Sequence, residues 1–95
     1  MTTIYLSKSN RDGKKYKVIV DGKTIHFGAK GYDDYTTHND PERKAKYIAR
    51  HKVRENWNKS GITTAGFWSR WLLWNEPSLE ASIRSIERKF NVKIA

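Results

Sequence analysis

Cysteine is missing from this sequence altogether, which removes disulfide staples, thiolate zinc sites and cysteine nucleophiles together. A reducing, intracellular setting is the simpler expectation. Proline and glycine are scarce, at two and six residues, so no flexible or stiff linker divides the chain. No apolar run approaches the ~18 residues of a membrane span. Met1-Thr2-Thr3-Ile4-Tyr5 lacks the charged-then-apolar pattern of a secretory leader, and neither export nor a membrane partner is expected. Apolar residues are also sparse, at 37% of 95 positions, but four Trp, five Tyr and three Phe are among them. Each large ring buries about 150–250 Å², so a few aromatics take the place of many aliphatics in a small core. The length suits one domain, residues 1–95, able to hide about 65% of its surface.

What the chain does have is positive charge: 19 Lys and Arg against 10 Asp and Glu, a net +9. Residues 1–30 hold seven basic and two acidic side chains, residues 31–40 three acidic and none basic, residues 41–59 seven and two, and residues 60–95 five and three. A concentrated basic segment thus precedes a nearly balanced, apolar one.

Residues 1–30 read as an antiparallel meander. Asp21-Gly22 separates Lys15–Val20 from Lys23–Phe27, and a two-residue Asp-Gly turn is the strongest short-range hairpin signal. That turn sets the register: Val20 faces Lys23, Val18 faces Ile25 and Tyr16 faces Phe27 on one side, while Lys17 faces His26 and Ile19 faces Thr24 on the other. A turn at Asn10-Arg11-Asp12-Gly13 brings Ile4-Tyr5-Leu6 alongside as a third strand.

Helices supply the cover. Asp40 before Pro41-Glu42 predicts an N-cap and a basic helix within residues 40–56, running to about Glu55. Thr63 or Thr64 caps a short helix reaching Trp74, the first of a Trp-rich pair over residues 63–91. Phe67, Trp68, Trp71, Leu72 and Trp74 cover half its circumference, so it must be largely buried. Pro77 opens the second of the pair, with Leu79, Ile83, Ile86 and Phe90 on one stripe and Asn91 as a left-handed stop. Val92-Lys93-Ile94 has the composition of a short edge strand. The fold class is α+β, a three-stranded antiparallel meander packed against two or three helices.

At 100° per residue, Arg43, Lys46, Arg50 and Arg54 fall within an arc of about 80°, beside an arc holding Tyr47, Ile48 and His51. A row of cations on one helix face suits a phosphate backbone, and Lys59, Lys15 and Lys17 extend it. The alternatives are a solvated face of a basic protein or a grip on an acidic protein surface. Trp57, just after the basic helix, would stack on or insert between bases if its ring is exposed, and Tyr32 raises the same question. Trp68, Trp71 and Trp74 read as core. His38, Asp40 and His51 are the most plausible metal trio, but their spacing fits no common zinc pattern. No metal, cofactor or catalytic residue is expected. Gly28-Ala29-Lys30-Gly31 lacks the Gly-Lys-Ser/Thr ending of a phosphate loop and reads as a turn.

Several strings together resemble a known family: Ile25-His26-Phe27-Gly28-Ala29-Lys30-Gly31-Tyr32, then Asp34-Tyr35-Thr36, His38 and Asp40, then Arg43-Lys44, Tyr47-Ile48-Ala49-Arg50-His51 and Glu55-Asn56-Trp57. The longest is Gly66-Phe67-Trp68-Ser69-Arg70-Trp71-Leu72-Leu73-Trp74-Asn75 with Pro77-Ser78-Leu79. Over residues 14 to 90 the chain is similar to small basic uncharacterised proteins encoded by nucleocytoplasmic large DNA viruses and some phages. The resemblance implies a viral, compact single-domain protein, inside an infected cell or packaged in a virion and not secreted, and it transfers no site. The expected function is non-enzymatic binding of nucleic acid, DNA above all, through phosphate contacts with little sequence preference. The alternative is a minor virion protein bridging acidic capsid surfaces, so the partner is DNA or an acidic viral protein. A metal-dependent nuclease is a third, remoter reading.

Overall fold

The computed structural model describes residues 2–95; Met1, counted above in the meander, lies outside them. Three antiparallel strands, β1 (Thr2–Lys8), β2 (Lys14–Val20) and β3 (Lys23–Ala29), form the expected meander. Asp21 and Gly22 both take positive φ, 49° and 81°, the twist that a two-residue hairpin turn requires. Val20–Lys23, Val18–Ile25, Tyr16–Phe27, Lys17–His26 and Ile19–Thr24 pair as the turn dictates. The first strand is longer than Ile4–Leu6 and runs from Thr2 to Lys8.

Four helices follow: α1 (Tyr35–His38), α2 (Pro41–His51), α3 (Ala65–Trp68) and α4 (Leu79–Phe90). Then β4 (Val92–Ile94) returns to the sheet. Its pairing is parallel to β1, Thr2 with Val92 and Ile4 with Ile94, so the order is β3-β2-β1-β4 and the sheet has four strands. Asn91 at φ 54° turns the chain out of α4 into this strand, and Glu87 Oε2 accepts from Ile94 N at 2.9 Å.

The core is one cluster. Ile4, Val18, Val20, Ile25 and Phe27 of the sheet meet Phe67, Trp68, Leu72 and Leu73 below, with Ile86, Phe90 and Val92 closing it. The aromatic economy of the sequence shows here: Phe67 packs edge-on to Trp68 at 5.0 Å and tilts against Phe90 at the same distance. Trp71 and Trp74 pack against the cluster only partly buried. Ser78, not Pro77, caps α4, its hydroxyl accepting from Ala81 N. The proline precedes the cap because its ring fixes only the approach of the chain.

Three local features differ from the sequence-based expectation. The basic helix ends at His51, and Lys52 to Arg54 form a turn. After Trp68 the chain widens into a π-helical turn, Ser69–Leu73, with Trp74 N bonding Ser69 O at 3.1 Å. And α1 is an unexpected single turn, built because Asp34 caps it: the carboxylate accepts from Thr36 N while Thr37 Oγ1 accepts from Asp34 N.

The π turn sets Leu73 against Gly28, which sits at φ 79°; a Cβ there would lie 2.9 Å from Leu73 Cδ1 and 3.2 Å from Lys15 Cβ. Gly28→Ala therefore meets both left-handed strain and overpacking, and is expected to destabilise the fold by about 1–3 kcal/mol. A denaturant midpoint equal to that of the parent would refute this account of the contact.

Candidate phosphate-binding face and cleft

Helix α2 starts as its sequence demands. Asp40 Oδ1 accepts from Glu42 N at 3.0 Å and from Arg43 N at 3.4 Å, and Pro41 occupies the first turn. Only Tyr47 of α2 is buried. Its ring lies parallel to Trp74 at 4.4 Å and to His51 at 4.2 Å, so the helix is docked by a stack of rings and its remaining circumference is left to polar groups. Burial raises the Tyr47 phenol well above its usual range, and the Glu55 carboxylate adds to this against opposing Arg70 and Arg50. The hydroxyl is neutral throughout ordinary conditions.

Arg43, Lys46, Arg50, Arg54 and Lys59 are all exposed. Among the described residues only Lys46 of these five has a carboxylate partner, Glu42 at 3.4 Å, and both of those side chains are well exposed. Such a pair is weak and easily screened. Of the acids near the stripe, Asp34 is engaged by Lys15, while Glu55 Oε2 lies 3.3 Å from His51 Nδ1 without a hydrogen bond between them. Arg54 lies in the turn beyond the helix, so only Arg43, Lys46 and Arg50 share the helical face, within an arc of about 60°.

Two of the residues expected to touch nucleic acid are otherwise occupied. Lys15 binds the buried Asp34 carboxylate at 2.6 Å and keeps only 20% of its side-chain exposure. A lysine that matches a buried acid is held there by the cost of leaving that charge unpaired. Trp57 is not a free platform. The Arg70 guanidinium covers its ring at 5.4 Å, Tyr47 lies parallel at 6.5 Å and its indole nitrogen is buried. Large rings beside a small core are drawn into it, which spacing along the chain did not reveal. Tyr32, in contrast, is 74% exposed.

Lys17 lies half-buried in β2 opposite His26. His26 is held below its ordinary value of 6.5 by lost hydration first, then by the charges of Arg11, Lys17 and Lys14. Its protonated form is disfavoured in the folded state, so its contribution to stability is complete above pH 6.5 and is lost as pH falls through the lower folded value. An NMR titration should place the His26 midpoint below 6.5; a midpoint at or above it would remove the inferred cationic field on this part of the sheet.

Two further cations are structural. Arg70 Nη1 donates to Trp74 O at 2.7 Å and Lys44 Nζ to Asn75 O at 2.6 Å, where they meet the negative end of the α3–π run. Arg70 also lies 4.4 Å over Trp71. Burial lowers the proton affinity of both, and for Lys44 the Arg70 charge lowers it further.

The considered metal trio does not converge. His38 Nδ1 accepts from Asp40 N at 2.9 Å and its ring tilts against Trp74, whereas His51 stacks on Tyr47 at the other end of α2 from Asp40. No set of three His, Asp or Glu among the described residues is arranged to hold a metal ion.

The feature that sequence reasoning missed is a cleft of about 550 Å³ between the end of β3, helix α2 and the π turn. Arg43 and Arg50 line it from the helix, Lys14 from β2, Ser69 and Leu73 from the π turn, with Tyr47, Trp74 and Phe27 among its walls. His51, stacked on Tyr47, is 3.3 Å through Nδ1 from Glu55 Oε2 and lines it too. Arg43 and Arg50 of the basic stripe thus line an open concavity while remaining exposed to water. The only signal in the sequence was the pair Arg43 and Arg50, seven residues and two helical turns apart.

No helix among the described residues is long and apolar enough to cross a membrane. Comparison with curated proteins and with solved structures gives no significant match. Residues 4–51, which include most of β1, all of β2 and β3 and all of α2, match a family of unknown function, DUF5754, and the chain belongs to that family.

Proposed function

We propose that this protein is a non-enzymatic binder of nucleic acid, DNA above all, that grips phosphates through α2 and the turn after it with little preference for sequence. The observation that carries this reading is the set of exposed cations Arg43, Lys46, Arg50, Arg54 and Lys59, of which, among the described residues, only Lys46 has a carboxylate within 4.0 Å, and that one weakly held. Lys17 adds charge from the sheet, while Lys15 and Trp57 are no longer counted. Phosphate contacts fix position and carry no base information. The setting that the sequence suggests, an infected cell or a viral particle, supplies DNA as the polyanion.

The test is the affinity for a duplex of unrelated sequence at two salt concentrations. Four phosphate contacts predict a fall of roughly 150-fold between about 50 and 200 mM salt. Affinity that hardly changes would remove the cationic face from the mechanism.

A further inference from the structure

The cleft is more than a continuation of the charged face. Arg43 and Arg50 of α2 and Lys14 of β2 line it together with the rings of Phe27, Tyr47 and Trp74 and with three carboxylates, Asp33, Glu55 and the Lys15-paired Asp34. About 550 Å³ lies within the range of pockets that enclose a small organic ligand and is far more than one phosphate fills. Tyr32, the most exposed ring at the rim, offers a face to a flat partner. The floor is shaped by the π turn, a distortion that recurs at functional sites. Gly66, also in the lining, leaves room for the Glu55 carboxylate, with which any Cβ there would collide. That carboxylate stands beside His51, whose ring stacks on Tyr47.

From this arrangement we propose that the cleft binds a single unpaired nucleotide through its phosphate monoester, the phosphate against Arg43, Arg50 and Lys14 and the base in the aromatic part of the cleft beside Tyr32. The inference rests on the reading of Arg43 and Arg50 as phosphate ligands and adds the ligand's class. The same chemistry is presented by a free nucleoside monophosphate and by the 5′-phosphorylated end of a strand.

Calorimetric titration of the whole protein separates the possibilities. The probes are adenosine monophosphate, adenosine, inorganic phosphate, a single-stranded oligonucleotide with 5′-phosphate or 5′-hydroxyl, and closed circular duplex DNA. The monophosphate is expected to bind, and both adenosine and inorganic phosphate to bind at least tenfold more weakly. Lys14→Ser and Tyr32→Ala, both at exposed positions, should each weaken the monophosphate about fivefold to tenfold while leaving circular duplex nearly unchanged. Competition by the 5′-phosphorylated but not the 5′-hydroxyl strand supports the proposal and assigns a strand end; competition by neither supports it and assigns the free nucleotide. No heat from the monophosphate at millimolar concentration, or phosphate alone binding as tightly, overturns the proposal. If circular duplex still binds with a steep salt dependence in that case, the proposed function survives without the cleft. If the monophosphate binds and the duplex does not, the cleft stands and the proposed function falls.

Discussion

Replacing Trp68 with alanine should lower the free energy of unfolding by about 3–5 kcal/mol. That is a large part of the roughly 5–14 kcal/mol available to a domain of this length. Trp68 has no exposed surface and lies in the cluster that joins sheet and helices. Its indole nitrogen also donates to Ile62 O at 2.8 Å, so truncation opens a cavity and leaves a carbonyl short of a partner. Trp68→Phe separates the two effects, since it keeps most of the volume and loses the donor, and should cost about 1–3 kcal/mol. Urea titration followed by far-ultraviolet circular dichroism reads both. A loss below about 1 kcal/mol for the alanine variant would contradict the packing described here, because a core so poor in aliphatics has few other rings to take up the load.

The second large effect concerns binding. Converting Arg43, Arg50 and Arg54 to serine together should reduce the salt-dependent fall in duplex affinity from roughly 150-fold to about fourfold, if each arginine neutralises one phosphate. All three side chains are exposed and none has an acidic partner among the described residues, so the fold should tolerate the change and the measurement reports on contact with DNA. Arg54→Ser alone is the more discriminating variant. Because Arg54 stands in the turn after α2, a slope altered by this change shows that the duplex follows the surface past the end of the helix. An unchanged slope in the triple variant would remove this face from the mechanism.

The parts of the fold that were legible in the sequence are those fixed within a few residues. The Asp21-Gly22 turn set the register of every pair in the hairpin, Asp40 and Thr64 capped their helices, and Asn91 ended α4 in the left-handed region. The features missed depend on contacts between distant segments. Asp34 looked like one acid in a short acidic loop, yet it caps α1 and binds Lys15, nineteen residues away. The end of α2 at His51 carries no glycine or proline to mark it. The π turn and the cleft beside it require α2, β3 and the Trp-rich run to be in place together. Exposure of the stripe on α2 was readable because a helix that docks through one stacked tyrosine leaves its charged side to water; the occupation of Trp57 by Arg70 was not, since those residues are thirteen apart and meet only in the fold.

The parallel pairing of Thr2–Ile4 with Val92–Ile94 also bears on how the molecule is made. Ribosomal synthesis completes β1 long before its neighbour exists, so one row of backbone amides and carbonyls beside Ile4 stays open while the rest of the chain emerges. Such a row is a template for another copy, and deleting residues 92–95 should therefore raise aggregation during expression more than the loss of four residues from a surface strand would suggest.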